Sequence, residues 1–353
     1  TILAHCDAVW GGRQPRHLAL QEEDKTQEQS GTRNPVNTAI NRTGGQLAET
    51  LVQFLSDRKP KVKDAFPEDL RDRFDNIISS LGYNAKLARI RLSFDCSFLY
   101  AIDPDWTVEN LIPYFDWRNS EALDIHKAYH FAARIGPADF FQHIKKFILE
   151  AFNRHDWSGS QRHTLSEHLV LVVMSKYQGN DPCDISAIEA QRALRVGESE
   201  IRHAASRFLW RMIDDETKGG RADFWRKIMQ PTFLDLWPRD KHCQDGKSAY
   251  HLADMALCAE QAFPDAMEVI LPFLEPITAH DKERFLYDLE SEHQETLKEH
   301  SDECLDLIDI LIKDIEFIES KRLKNILDII KDSKNELEND YRYRRLASLA
   351  NKF

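Results

Sequence analysis

The feature that most constrains the fold of this chain is a succession of short, apolar-faced helical segments separated by proline. It is clearest in residues 221–277, where apolar side chains are spaced by three and four residues, as on one face of a helix. That face carries Leu252, Met255, Ala256 and Ala259. Proline lacks a backbone donor and restricts the residue before it, and it therefore tends to end helices. Such ends are expected at Pro231, at Trp237-Pro238 and at Phe263-Pro264.

Turn-forming and capping residues define further helix boundaries. Ser248 follows a turn and is the expected N-cap of the next helix, and Thr43-Gly44-Gly45 is expected to form a turn. The apolar run 169–173 is compatible with a strand, but no partner strand is evident elsewhere in the sequence. We therefore expect 165–177 to be helical.

These patterns predict an all-α fold, a superhelical array of helix pairs of the HEAT or TPR type with a helical cap. Residues 1–36 are expected to form an N-terminal segment and flexible linker, because they include a long polar stretch without an apolar stripe. Residues 37–280 are predicted to form the array. Residues 281–353 are predicted to form an acidic C-terminal cap that contains an antiparallel helix pair. This last region holds nineteen acidic and thirteen basic residues, and so about half of the net charge of −12.

Composition narrows the classes of function. No run of apolar residues is long enough to span a bilayer, so no membrane association is expected. The six cysteines are scattered without a CxxC pair, which disfavours a zinc site or a disulfide framework and favours a reducing cytoplasm. The acidic balance disfavours nucleic acid binding by the whole surface, although a local basic patch would permit it.

No catalytic, cofactor-binding or metal-binding residues are predicted for the chain. The histidines His155, His163 and His168 lie near Glu167, but His163 and His168 are five residues apart and would face different sides of a helix. The paired glycines lack the spacing of a phosphate-binding loop, so no cofactor is expected. The composition and pattern instead favour a scaffold or binding protein, with a protein partner or a second copy of the chain as its ligand.

One catalytic alternative remains. Arg162 and His168 have a spacing that resembles the motif of HEPN-type ribonucleases, which cleave RNA without metal by pairing Arg and His on a helix. On this alternative the two residues would be catalytic. The basic and aromatic cluster 341–345 also has two interpretations, a frayed chain end or a contact for phosphate or an acidic partner surface. The tryptophans are expected to pack between neighbouring helices; the alternative is that they stack bases or anchor a partner, and this applies to Trp106, Trp117, Trp210, Trp225 and Trp237.

Three segments carry a resemblance to a known class of protein. They are NTAINRTGGQLAETLVQFL (37–55), AIDPDWTVENLIPYFDW (101–117) and the stretch 236–277, which begins LWPRDKHCQDGKSAYHLADMA. They resemble the helical C-terminal regions of large bacterial anti-phage defence proteins, some of which carry an N-terminal sirtuin-like NAD-hydrolysing domain. The resemblance implies a sensing or assembly region, with an effector enzyme upstream of Thr1. No sirtuin nucleotide-binding motif is present to be carried over.

Overall fold

The computed structural model describes residues 35–132, 135–179, 183–314 and 320–351. All regular secondary structure in these ranges is helical, which confirms the all-α prediction. The predicted linker lies outside the described residues up to position 34. The chain forms two compact units, Thr1–Ala151 and Phe152–Phe353, which are described separately below. The predicted boundaries at 36 and 280 concern the extent of the array and the cap, and they remain predictions.

The first unit has its core around three packed helices. Its helices are α1 (Pro35–Asn41), α2 (Thr43–Asp57), α3 (Glu68–Ser79), α4 (Tyr83–Phe94), α5 (Cys96–Ile102), α6 (Pro104–Asn110), α7 (Ala122–Phe131) and α8 (Ala138–Ala151). Helix α4 packs against both α2 and α7. Trp106 is fully buried beside Phe66 and Phe74, with ring centroids 5.0 and 5.6 Å away. Its indole nitrogen donates to Asp75 at 2.6 Å, which satisfies the polar atom of a buried ring.

The expected turn at Thr43-Gly44-Gly45 is wrong, because these residues form the first turn of α2. A Cβ atom on Gly44 would lie 2.1 Å from the carbonyl oxygen of Asn84, at the start of α4. The glycine is therefore required by a close approach of two helix backbones. A sequence pattern does not distinguish this use of glycine from a turn.

The second unit is also entirely helical in its described ranges. Its helices are α9 (Gly159–Gln178), α10 (Ala187–Val196), α11 (Ser199–Asp214), α12 (Arg221–Phe224), α13 (Gln230–Leu236), α14 (Gly246–Leu257), α15 (Phe263–Ile270), α16 (Ala279–Ser291), α17 (Gln294–Glu299), α18 (Ser301–Leu311), α19 (Ser320–Ser333) and α20 (Tyr341–Ala350). Helix α9 includes the run 169–173, so helix rather than strand is confirmed there. Helix α11 packs between α9 and α14, and α14 also contacts α16 and α18.

Prolines and caps in this unit differ partly from the prediction. Pro231 does not end a helix, because the π-helical turn Trp225–Met229 precedes it and the chain continues directly into α13. In a regular α-helix a proline ring clashes with the carbonyl group one turn earlier. The π-turn changes the hydrogen-bond pattern before Pro231, and the helix can therefore continue through it. The stop at Trp237 is confirmed, since α13 ends at Leu236. Phe263-Pro264 begins α15 and does not end α14.

The N-cap of α14 is Asp245, whose carboxylate accepts from the Ser248 amide at 2.9 Å. The predicted cap, Ser248, is instead a buried residue inside the helix. An aspartate in this position satisfies an amide that has no partner within the helix. The whole stretch from Ser248 to Leu257 is consequently held in a helix that is buried on every side.

The basic cluster at the end of the chain is part of an ordered helix, so the expectation of a frayed end is wrong. Arg342, at the start of α20, pairs with Asp302 at 2.7 Å, with Asp340 at 2.8 Å and with Asp306. Arg345 pairs with Asp309 in the same way. These ion pairs attach α20 to α18, so Arg342 and Arg345 are both paired within the chain.

Candidate functional site

A polar cleft of about 550 Å³ opens in the second unit. It is bordered by α11, α14 and α16, by the segment that joins α16 to α17, and by the loop before α12. Six carboxyl groups line it, those of Asp214, Asp254, Glu260, Asp288, Glu292 and Glu295. Two basic side chains, Lys218 and Arg221, share the lining. Pockets of several hundred Å³ are of the size that binds small molecules or side chains of a partner.

Asp254 is the central residue of this cleft. It lies on α14, and only 5% of its surface is exposed. The residue lines the cleft, and its buried Oδ1 atom accepts no hydrogen bond from any described residue. A buried polar atom without a partner is destabilising by about 1–3 kcal/mol, and such atoms are rare in native proteins. The arrangement therefore favours an external donor for Oδ1.

The surroundings of Asp254 favour its protonated form. Burial, followed by the neighbouring carboxylate of Asp288, raises the pKa of Asp254 to about 8. Burial also raises the pKa of Asp288, which accepts a long hydrogen bond from the Tyr250 hydroxyl at 3.4 Å. Arg284 lies 3.7 Å from Asp288 but is largely exposed, so it offsets these effects only in part. The pKa of Asp254 thus lies close to neutral pH.

The walls of the cleft contribute little positive charge to offset its carboxyl groups. Arg221 pairs with Asp214 at 3.1 Å and also donates to backbone carbonyls. Burial lowers the pKa of His293 to about 4, so this ring is neutral at pH 7. Burial raises the pKa of Cys258 to about 12, which makes it a poor nucleophile. Lys218 is the remaining cation of the lining.

The arrangement is suited to binding a cationic group. Six carboxyl groups against two basic side chains give the cleft an acidic lining, and an aromatic ring, Trp210, forms part of its wall. Within the described ranges, no group of three His, Cys, Asp or Glu side chains is placed to hold a metal ion.

The residues singled out from the sequence lie elsewhere in the second unit. Arg162 and His155 both pair with Glu198, each at 2.8 Å. His168 is buried on α9, and burial lowers its pKa to about 4. Neither Arg162 nor His168 lines the cleft around Asp254. The ribonuclease alternative stays a prediction, which RNA cleavage by the purified chain and its loss in His168→Ala would test.

His163 and Glu167 line a second, smaller cleft of about 100 Å³, together with Arg207 and Arg211. Since His163 borders this cleft while His168 is in the core, the two histidines lie on different faces of α9. This agrees with their spacing of five residues. The lining of the small cleft holds two arginines and one glutamate, so its formal charge is positive.

Sequence reasoning missed Asp254 and Asp288. The signal for Asp254 was present in the helix 246–257, where it is the single acidic residue between Asp245 and Glu260. A lone acid within an otherwise apolar helix is unusual, because burying a carboxyl group is unfavourable without a partner or a function. Asp288 has no comparable signal, since it lies in a strongly charged segment.

Comparison with known proteins gives one informative match. The chain is 26% identical over 263 residues to the uncharacterized protein y4cA of Sinorhizobium fredii. The match covers 72% of this chain and 21% of that protein, so the chain spans about a fifth of the length of the relative it matches. No protein-family model matches the chain, and no solved structure matches it. In the described ranges, no helix has both the length and the apolar character needed to cross a bilayer.

Proposed function

We propose that this chain is a non-catalytic recognition region of a larger protein, and that its second unit binds a protein trigger or a sister subunit at the cleft around Asp254. The observation that carries the proposal is Asp254, a buried residue of the cleft lining whose Oδ1 atom has no hydrogen-bond donor among the described residues. A partner that places a basic side chain in the cleft would supply that donor and neutralise the surrounding carboxylates.

Two further observations support a binding region. The relative of this chain is about five times longer than the stretch it shares. This length is expected if the shared stretch is one region of a protein with several. Within the second unit, α9, α11 and α14 pack one after another, and this succession supports the proposed superhelical array of helix pairs with a C-terminal cap. The five cysteines of the described ranges are buried free thiols, in keeping with a cytoplasmic protein.

Binding accounts for the cleft better than catalysis does. An acid near neutral pKa can transfer protons, but a catalytic site also requires a second group of matched pKa and an activated nucleophile or a polarising donor. Here the neighbouring histidine has a pKa of about 4 and the neighbouring thiol one of about 12. Neither is poised for proton or group transfer at neutral pH.

Selection from a displayed peptide library on the immobilised chain tests the proposed partner class. We expect the enriched peptides to share a lysine or arginine and to lose binding to a Glu292→Lys/Glu295→Lys variant. Glu268→Lys, an exposed charge reversal outside the cleft, is the matched control and should bind normally. Enrichment of peptides without a shared basic residue, or equal binding to both variants, would contradict the proposal.

The sister-subunit possibility has its own measurement. If a second copy fills the cleft, the molar mass in solution should rise with concentration for the unaltered chain and stay monomeric for Glu292→Lys/Glu295→Lys. Light scattering coupled to size-exclusion chromatography reports this directly. A concentration-independent monomer would leave the protein trigger as the proposed ligand.

The proposed defence role rests on the resemblance of three sequence segments to anti-phage proteins. Plating efficiency of phages on bacteria that express the protein is the assay. We expect protection with the unaltered protein and its loss with Glu292→Lys/Glu295→Lys, while Glu268→Lys protects normally. Equal plating with and without the protein, across a broad phage panel, would remove the defence role and leave the binding proposal to the peptide experiment.

A further inference from the structure

We propose that the cleft around Asp254 holds one organic cation, the guanidinium or primary ammonium end of a side chain or amine, with its charge against the Asp254 carboxyl group. This inference rests on the proposed binding function, because it names the chemical group that the same cleft takes. It adds a specific anchor residue and a chemical signature of binding.

The geometry supports a cation with several hydrogen-bond donors. Asp254 lines the cleft and is more than nine-tenths buried, and its buried Oδ1 atom has no donor among the described residues. A guanidinium or ammonium group brings three or more N–H donors and a positive charge to such an acceptor. The cleft, at about 550 Å³, also has room for the alkyl chain that carries the charge.

The charged groups that face Asp254 come from three helices. Asp288 and Arg284 approach from α16, and Asp214 approaches from α11. Tyr250 lies one turn before Asp254 on α14, and its hydroxyl donates to Asp288 at 3.4 Å. Arg284 is largely exposed, and Asp214 already has a partner in Arg221. The neighbours therefore leave Asp254 without a close, buried cation of its own.

This environment predicts that binding releases a proton. In the empty cleft the pKa of Asp254 is about 8, so its carboxyl group is mostly protonated at pH 7. A cation seated against the group favours the ionised form, and the proton leaves to the buffer. A neutral ligand of the same shape would have no such effect.

Trp210 adds a second preference for a cation. Its indole ring forms part of the cleft wall and stacks on His251, with 5.6 Å between ring centroids. Burial lowers the pKa of His251 to about 3, so this neighbouring ring brings no competing positive charge at pH 7. Aromatic faces attract ammonium and guanidinium groups, and tryptophan does so most strongly.

Isothermal titration calorimetry at pH 7 tests the inference on the purified chain. The probes are N-acetyl-arginine amide, N-acetyl-lysine amide and spermidine, with N-acetyl-citrulline amide as the uncharged match to arginine and MgCl₂ as an inorganic control. Each titration is run in two buffers of different ionisation enthalpy, which reveals proton release. We expect at least one cationic probe to bind with release of up to one proton, and citrulline amide to show no binding.

Asp254→Asn keeps the shape of the side chain and removes its ability to ionise. We expect this variant to bind the cation about tenfold more weakly or worse and to release no proton. Glu268→Gln, outside the cleft, is the control and should match the unaltered chain. If Asp254→Asn does not fold, as judged by its helical circular dichroism, Asp288→Asn is used instead, and we expect weaker binding there too.

Several results would overturn the inference. They are equal binding of citrulline amide, unchanged affinity in Asp254→Asn, binding of MgCl₂ alone among the cations tested, and no binding of any cationic probe. If selected peptides bind through the cleft after their basic residues are replaced by citrulline or acetyl-lysine, the binding function stands and the cation assignment falls. Binding of spermidine but not of the amides would identify a free polyamine as the source of the cation.

Discussion

Replacing Asp254 by asparagine isolates the contribution of one buried carboxyl group to the stability of the second unit. The folded protein holds the Asp254 proton up to a pKa of about 8, whereas an unfolded chain loses it near 3.8. Between these values the folded state binds more protons than the unfolded state. Its free energy of unfolding must therefore fall as the pH rises from about 4 to about 8.

The magnitude follows from the linkage relation. Each pH unit within the window lowers the free energy of unfolding by about 1.4 kcal/mol, and the slope decreases as the pH approaches the folded-state pKa. From pH 5 to pH 8 the contribution of Asp254 falls by roughly 3–4 kcal/mol. Asp254→Asn has no proton to lose there. Its stability relative to the unaltered chain should consequently rise by this amount over the same interval.

Hydrogen exchange followed by mass spectrometry measures the effect where it arises. Peptides from 246–257 report the free energy of opening of α14 once the rates are corrected for the intrinsic pH dependence of exchange. A local measurement is preferable because a chain of two units need not unfold in one step. The control variant is Glu268→Gln, whose profile should run parallel to that of the unaltered chain.

The result that would refute this reasoning is a pair of parallel profiles. If the difference between Asp254→Asn and the unaltered chain changes by less than about 1 kcal/mol from pH 5 to pH 8, the carboxyl group is already ionised in the folded state. An ion or water would then solvate it in the cleft. A change of the opposite sign would mean that the folded state stabilises the carboxylate.

Three further predictions concern packing and ion pairing. Gly44→Ala should destabilise the first unit by about 1–3 kcal/mol, because its Cβ would lie 2.1 Å from the Asn84 carbonyl oxygen, and a lower thermal midpoint should report it. Arg342→Ala should release α20 and speed its proteolysis, at a cost of about 1–2 kcal/mol, whereas Arg344→Ala should have little effect, since that side chain reaches only an exposed asparagine amide. Trp106→Ala should destabilise the first unit by about 3–5 kcal/mol through the cavity it leaves. Hydrogen exchange in the second unit should stay unchanged in that variant if the two units are independent.

Helix content and most helix positions were predictable from the sequence. Apolar spacing of three and four residues reports the face that a helix buries, and this information is local. The apolar run 169–173 was ambiguous by itself, and the absence of partner strands elsewhere in the sequence decided correctly for helix. The stop at Trp237 was predictable for the same reason, since the geometry of proline acts on its immediate neighbours.

Three features were not predictable from local patterns, and two of them, at Gly44 and Arg342, depend on contacts between distant residues. Gly44 lies in a helix because the backbone at Asn84 approaches it, and no local pattern reveals that approach. Pro231 is tolerated because a π-turn precedes it. Arg342 is an internal ion-pair partner because Asp302 and its neighbours lie on the adjacent helix.

The sequence by itself determined that this chain is helical, where most helices run and that one helix carries a lone acid. The tertiary structure alone decided that Asp254 meets Asp288 and Asp214 at a cleft and leaves one oxygen without a donor. The physical reason is that helical periodicity is set by neighbours along the chain, whereas the pKa of a carboxyl group is set by burial and by charges that folding brings from other helices.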